Sequence, residues 1–165
     1  MTALRLGSLF DGIGVFPLAA VRCGIEPVWA SEIEKAPISI TKRHFPDMAH
    51  LGDVTKLDGR DLPPVHIITF GSPCQNLSQI GNRKGLAGEK SSLFFQAIRI
   101  IREMREATNG LFPAIAVWEN VPYVPQYIRN IFEQKIRRSL GLSQSGNFKE
   151  ESAAGVVKAP SSASD

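Results

Sequence analysis

The sequence predicts an α/β fold: a doubly wound, mostly parallel, Rossmann-like sheet with helices on both faces. Three observations carry this. Short apolar runs rich in β-branched residues alternate with stretches of helical period, a glycine turn follows the first run directly, and later runs end abruptly in polar turns. With 165 residues the chain is long enough for one domain with a real core and too short for two of ordinary size.

Leu4 to Phe10 reads as a first strand ending in "DGIG". Phe16 to Cys23 then carries apolar residues at helical spacing, with Pro17 tolerated in the first turn and Gly24 as the stop. "EPVWASEI" is a second, buried strand, and "EKAPISITKRHFP" is a helix closed off before Pro46. "HLGDVTKLD" supplies a short third strand or strand-like turn. "VHIITFGSP", bounded by Pro63-Pro64 and by Gly71 and Pro73, is a central strand. "SSLFFQAIRIIREMREA" places Leu93, Ala97, Ile100, Ile101 and Met104 on one helical face, with most of its charges opposite. "PAIAVWENVP" is a further buried strand, and "PQYIRNIFEQKIRRSLGL" a last amphipathic helix. Residues 1–140 are therefore expected to form the folded domain. Residues 141–165, rich in Ser, Ala and small polar residues, are expected to be a disordered tail.

Hydrophobic residues at 43% and charged residues at 21% are ordinary for a globular domain. A net charge of +3 and a pI of about 9.0 permit contact with a polyanion without demanding it. Cys23 and Cys74 share no repeated spacing and have no nearby histidine pair, so neither a disulfide framework nor a metal site is expected. Cys23, on the apolar side of the first helix, reads as a buried structural thiol. No apolar run approaches the roughly 18 residues of a membrane span. The N-terminal apolar stretch is interrupted by Arg5 and Asp11, unlike a secretory signal. The expected setting is soluble, reducing and cytoplasmic.

"LFDGIGVF" joins strand to helix, where Gly12 and Gly14 let the backbone turn tightly and approach a ligand at the helix N-terminus. Such a turn also serves simply to reverse the chain. Glu32, at the end of the second strand, adds an acidic side chain able to accept hydrogen bonds from a ribose. The stretch has G-x-G without the third glycine of the dinucleotide fingerprint. A nicotinamide dinucleotide therefore stays open, while an adenosine cofactor without a phosphate, such as S-adenosylmethionine, suits it better.

Cys74 follows Pro73 and precedes Gln75 at the end of the central strand, on the same sheet edge as the glycine turn. Ligands bind beyond the carboxyl ends of parallel strands. A thiolate there can act as a nucleophile if a dipole or proton acceptor lowers its pKa, and the alternative is a buried structural cysteine. Glu119, emerging from "AIAVWENVP", can act as an acid if the cleft keeps its proton on; otherwise it is a solvent-facing loop residue. Between them lies a glycine-punctuated basic stretch with Arg83, Lys84 and Lys90, suited either to closing over a phosphate backbone or to a plain surface loop.

"FDGIG", "SPCQ" and "ENV", in that order at the ends of successive strands, resemble the cytosine-5 DNA methyltransferases. The similarity runs from about Leu4 to Val121 and includes "GDVTKLD" and "SSLFFQAIRI". The resemblance implies a sheet that binds S-adenosylmethionine and a target cytosine flipped out of double-stranded DNA into the pocket. It implies Phe10, Gly12 and Gly14 at the cofactor turn, Glu32 on the ribose and Ile33 beside the adenine. Asp53 and Val54 fall at the adenine edge, and Leu93 along the pocket. It implies Cys74 as the nucleophile toward carbon 6 of the base and Glu119 as the proton donor to ring nitrogen 3. Pro73, Gln75, Ser78, Arg83, Lys84, Asn120 and Val121 are expected on the substrate side. No metal is implied.

The resemblance stops after "ENVP". The family's Q-x-R-x-R segment, DNA-reading domain and late G-N-containing helix have no recognisable counterpart: "KIRRSL" lacks the glutamine-arginine pattern, and Gly146-Asn147 is not followed by an apolar helix. The expectation is a truncated catalytic part, either completed by a second polypeptide that supplies target recognition or retaining only cofactor or DNA affinity.

Overall fold

The computed structural model describes residues 3–71, 91–119, 126–142, 149–151 and 154–158. Its elements run β1 (Arg5–Leu9), α1 (Val15–Arg22), β2 (Glu26–Ser31), α2 (Lys35–His44), β3 (Ala49–His50), a 3-10 turn (Val54–Lys56), β4 (Ile67–Phe70), α3 (Ser91–Ala107), β5 (Ile115–Glu119), α4 (Gln126–Ser139), β6 (Lys149–Glu151) and β7 (Ala154–Lys158). They form one sheet of order β3-β2-β1-β4-β5-β7-β6. The first five strands in that order are parallel, each joined through a helix or a long connection, as the sequence alternation predicts.

The tail expectation needs correction. Two stretches within residues 141–165 are strands: β7 pairs antiparallel with β5 in the register Val117↔Val156, and β6 pairs antiparallel with β7. The physical reason is the open flank of β5, whose unpaired backbone groups are a template for another strand. "AGVVK" meets that need with two β-branched residues in a segment too short to register as a periodic pattern.

Two apolar clusters sandwich the sheet. The larger joins Leu9, Trp29, Ile68, Phe70 and Trp118 of the strands to Phe94, Ala97, Ile100, Ile101 and Met104 of α3 and to Ile136 of α4. Ala97, Ile100, Ile101 and Met104 are positions the 3.6-residue period singles out, whereas Phe94 takes the buried place and the expected Leu93 is only partly buried against the cluster; each fully buried large apolar side chain contributes about 1.5–3 kcal/mol. The smaller cluster, Leu6, Ala20 and Ile67, sits under α1. α1 buries only Pro17 and Ala20 and leaves Val15, Leu18 and Val21 exposed.

Two local devices fix how the layers meet. Trp29 is fully buried and donates its indole N–H to the Pro63 carbonyl at 2.9 Å. A side chain at Gly7 would collide with its ring, so glycine is what lets the indole lie against β1. The loop after β3 is tied to α3 by Arg99, which donates to the carbonyls of Leu57 (2.8 Å) and Val54 (3.1 Å) and pairs with Glu103 at 2.8 Å. Glu103 in turn accepts the Gly59 N–H at 2.8 Å. Among the described residues no helix is long and apolar enough to cross a membrane.

Candidate functional site

The strand order reverses direction between β1 and β4, which is where open parallel sheets bind ligands beyond their carboxyl ends. The turn leaving β1 there is held in left-handed conformation at Phe10 (φ 57°), Gly12 (φ 57°) and Gly14 (φ 84°). Phe10 pays for lacking glycine's freedom with on the order of 1 kcal/mol, a cost that persists where the surroundings over-determine the backbone. They do so here: Phe10 packs on the main core, as Leu93 does from α3. Gly14 is needed sterically, because a Cβ would come within 2.9 Å of the Thr41 methyl and 3.0 Å of the Phe45 ring. Among the described residues, nothing lies within 4 Å of where a Cβ on Gly12 would be.

Glu32 closes this turn onto β2. One carboxylate oxygen accepts the Gly12 N–H at 2.8 Å; the other accepts the N–H groups of Ile33 (2.8 Å) and Glu34 (3.0 Å). A carboxylate has about four acceptor positions, so capacity remains for a ligand hydroxyl. Ile33 beside it is exposed. Asp53 accepts the Thr55 hydroxyl (2.8 Å) and N–H (2.9 Å), which hold its carboxyl below the usual carboxylate range. Val54 is different: its side chain is buried in the main core and its carbonyl receives Arg99. Only its backbone is left to face a ligand.

At the other side of the switch point, Glu119 ends β5 and is exposed. Its carboxylate lies over the end of β4: a Cβ on Gly71 would be 2.8 Å from Glu119 Oε2. Gly71 stands three residues before Cys74 in the chain. Pro73, Cys74, Gln75, Ser78, Arg83, Lys84, Asn120 and Val121 lie outside the described residues. Cys23 is exposed rather than buried. It caps α1 at a point where the helix has already turned its apolar side toward solvent.

One group went unread in the sequence. Asp11, inside the glycine turn, is only 6% exposed, and neither carboxylate oxygen has a hydrogen-bond partner among the described residues. The same holds for the buried hydroxyls of Ser8 and Thr69, which face each other in register across β1 and β4. Burial pushes the Asp11 carboxyl up to about 6; the Ser8 hydroxyl, its hydrogen-bonding neighbour, pulls the other way, and the Glu32 charge adds to the rise. The available signal was an acidic residue placed between Phe10 and Gly12, where the chain is still entering from a buried strand.

Comparison with known proteins bears on this arrangement. A family model described as C-5 cytosine-specific DNA methylase matches residues 4–138. The type II methyltransferase M.HhaI of Haemophilus parahaemolyticus is 34% identical over 121 residues, covering 73% of this chain and 35% of that protein. A protein of Escherichia phage P1 named DNA N-6-adenine-methyltransferase is 32% identical over 138 residues, 80% of this chain and 18% of its own length. The crystal structure of S. pombe Dnmt2 methyltransferase superposes with a TM-score of 0.65 at 18% identity, over 94% of this chain and 49% of that one. The chain thus spans between 18% and 35% of the length of these two sequence relatives.

Proposed function

The chain belongs to the C-5 cytosine-specific DNA methylase family, and from that premise we propose that it carries the cofactor site and the thiol nucleophile of a DNA (cytosine-5) methyltransferase using S-adenosylmethionine. The observation that carries this is the family match over residues 4–138, which takes in the glycine turn, the "SPCQ" turn and Glu119. The Glu119 carboxylate lying over Gly71, close in sequence to Cys74, supports it.

Phe10, Gly12, Gly14 and Glu32 hold the cofactor's ribose and amino-acid side, and Ile33, Asp53, the Val54 backbone and Leu93 surround the adenine. The spare acceptor capacity of Glu32, and a Gly12 with no described residue within 4 Å of where its Cβ would be, fit such a group. When bound, S-adenosylmethionine supplies the methyl group. Cys74, as thiolate, adds to carbon 6 of a cytosine taken out of the DNA duplex. Glu119 gives a proton to ring nitrogen 3, so the displaced electron pair becomes available at carbon 5, the position that receives the methyl. A base then removes the hydrogen from carbon 5, and the returning electron pair re-forms the 5,6 double bond and expels the thiolate. Pro73, Gln75, Ser78, Asn120 and Val121 frame the base, while Arg83 and Lys84 contact phosphate. Target recognition comes from a further polypeptide segment, in keeping with the greater length of the relatives.

The test is transfer of labelled methyl from S-adenosylmethionine to duplex DNA, followed by identification of the labelled nucleoside. The expected product is 5-methylcytosine, lost in Cys74→Ser and reduced at least a hundredfold in Glu119→Gln. Labelled N6-methyladenine, the product named for the phage P1 relative, would contradict the assignment, as would activity surviving Cys74→Ser.

A further inference from the structure

We propose that the outward face of α1 is a self-association surface, on which two copies of this chain pair with their α1 helices antiparallel about a twofold axis. The proposal is independent of the catalytic reading and concerns residues to which that reading gives no role.

Its basis is a helix that is apolar on both sides. Pro17 and Ala20 are the residues α1 buries. Val15, Leu18, Ala19 and Arg22, at i, i+3, i+4 and i+7, form the opposite face, and all four are exposed. That spacing is the stripe by which one helix packs against another, whereas a surface helix ordinarily turns polar residues outward. The only charge within α1 is Arg22. Val21 flanks the stripe and Ile13 precedes it in the turn; Val15 is 62% exposed, Ile13 57%, Val21 51% and Leu18 46%. Together these four side chains present on the order of 300–400 Å² of apolar surface, the size at which an exposed patch marks an interaction site.

Area and charge both select a second copy. A stable interface buries about 800 Å² on each partner, about two-thirds of it apolar where the subunits are identical. The α1 patch supplies more than half of that apolar share, which fits a dimer of micromolar strength. The charges are placed to match. Arg22 ends α1, and Glu26 opens β2 just beyond that end. At the other end, past the glycine turn, stand Glu34 and Lys35, tied to the turn because Glu32 accepts the N–H groups of both Gly12 (2.8 Å) and Glu34 (3.0 Å). Antiparallel pairing sets Arg22 toward the partner's Glu34 and Glu26 toward the partner's Lys35, each twice by symmetry; parallel pairing would set like charges together. The helix dipoles favour the same arrangement, each positive end lying beside a negative one.

The experiment is analytical ultracentrifugation of the full chain over about 1–200 μM at neutral pH, with reductant present so that Cys23 and Cys74 form no crosslinks. The expected result is a monomer–dimer equilibrium with a Kd of about 1–100 μM and no larger species. Leu18→Glu, with thermal melting to show that it folds, should weaken association about 100-fold, because the symmetry brings two carboxylates into one apolar contact. Arg22→Glu and Glu34→Arg should each weaken it about 3- to 10-fold, and the double variant should recover to within about threefold of wild type. If Leu18→Glu fails to fold, the charge exchange decides alone. A wild type that stays monomeric over the whole range overturns the proposal, as do a dimer that Leu18→Glu leaves unchanged and growth into an open series of larger species. Charge variants that each weaken the dimer without recovery in the double variant overturn the antiparallel pairing.

Discussion

Asp11→Asn should make the ligand-free protein more stable at neutral pH. The carboxyl is raised from 3.8 to about 6 by burial, so the folded state is penalised whenever this group is ionised. A rise from 3.8 to about 6 corresponds, at 1.36 kcal/mol for each tenfold change in proton affinity, to at most about 3 kcal/mol. With water and protein dipoles screening part of the charge, about 1–3 kcal/mol is the expected gain. The sign follows from proton counting. Between pH 3.8 and about 6 the folded state binds more protons than the unfolded state, so stability falls as pH rises through that window. The penalty is fully present above about pH 6 and disappears as pH drops toward 4. The assay is urea unfolding of wild type and variant from pH 4 to 7.5 without ligand. The stability difference between them should grow with pH across that window and level off above it. A difference that is flat with pH, or a variant less stable at pH 7, would refute the picture of a buried, unpaired carboxylate.

Gly71→Ala should leave unfolding free energy within about 0.5 kcal/mol, because the only close contact of the new methyl among the described residues is with the carboxylate end of the Glu119 side chain, which can shift. It should nevertheless lower the methyl-transfer rate by displacing that carboxylate, which a comparison of kcat with S-adenosylmethionine affinity would show. Gly7→Ala should destabilise the fold by about 2–3 kcal/mol or prevent folding, since the methyl collides with a fully buried indole; denaturant titration checks this. Glu103→Ala should cost about 2–4 kcal/mol by leaving the Gly59 N–H without its acceptor and the half-buried Arg99 guanidinium without its carboxylate partner, read in the same way.

Much of the architecture was legible because burial and period coincide. The β-branched run ending in Phe70 reads as a central strand, and Ala97, Ile100, Ile101 and Met104, at helical spacing on α3, do fill the main core, with Phe94 buried beside the partly buried Leu93. β6 and β7 were not legible, because pairing on the flank of β5 depends on a long-range vacancy that local composition does not record. Cys23 misled for the opposite reason: its apolar neighbours on α1 face solvent, which the period of one short helix cannot reveal. In the site, the spacing of Glu32 from the glycine turn pointed to a ligand carboxylate, whereas its bonding adds a structural task, holding the turn to β2. Asp11 escaped notice because its meaning lies in what surrounds it. A sequence gives the carboxyl; only the fold shows that it is buried and unpaired.

The central claim is that Cys74 adds covalently to a cytosine in the presence of S-adenosylmethionine. Its most direct test is to incubate the protein with S-adenosylmethionine and duplex DNA containing 5-fluorocytosine, where fluorine at carbon 5 blocks the final elimination, and to map the product by peptide mass spectrometry. The account predicts a stable DNA adduct on the peptide containing Cys74, dependent on the cofactor and absent in Cys74→Ser. Cofactor bound with affinity intact and no adduct at Cys74 would contradict it.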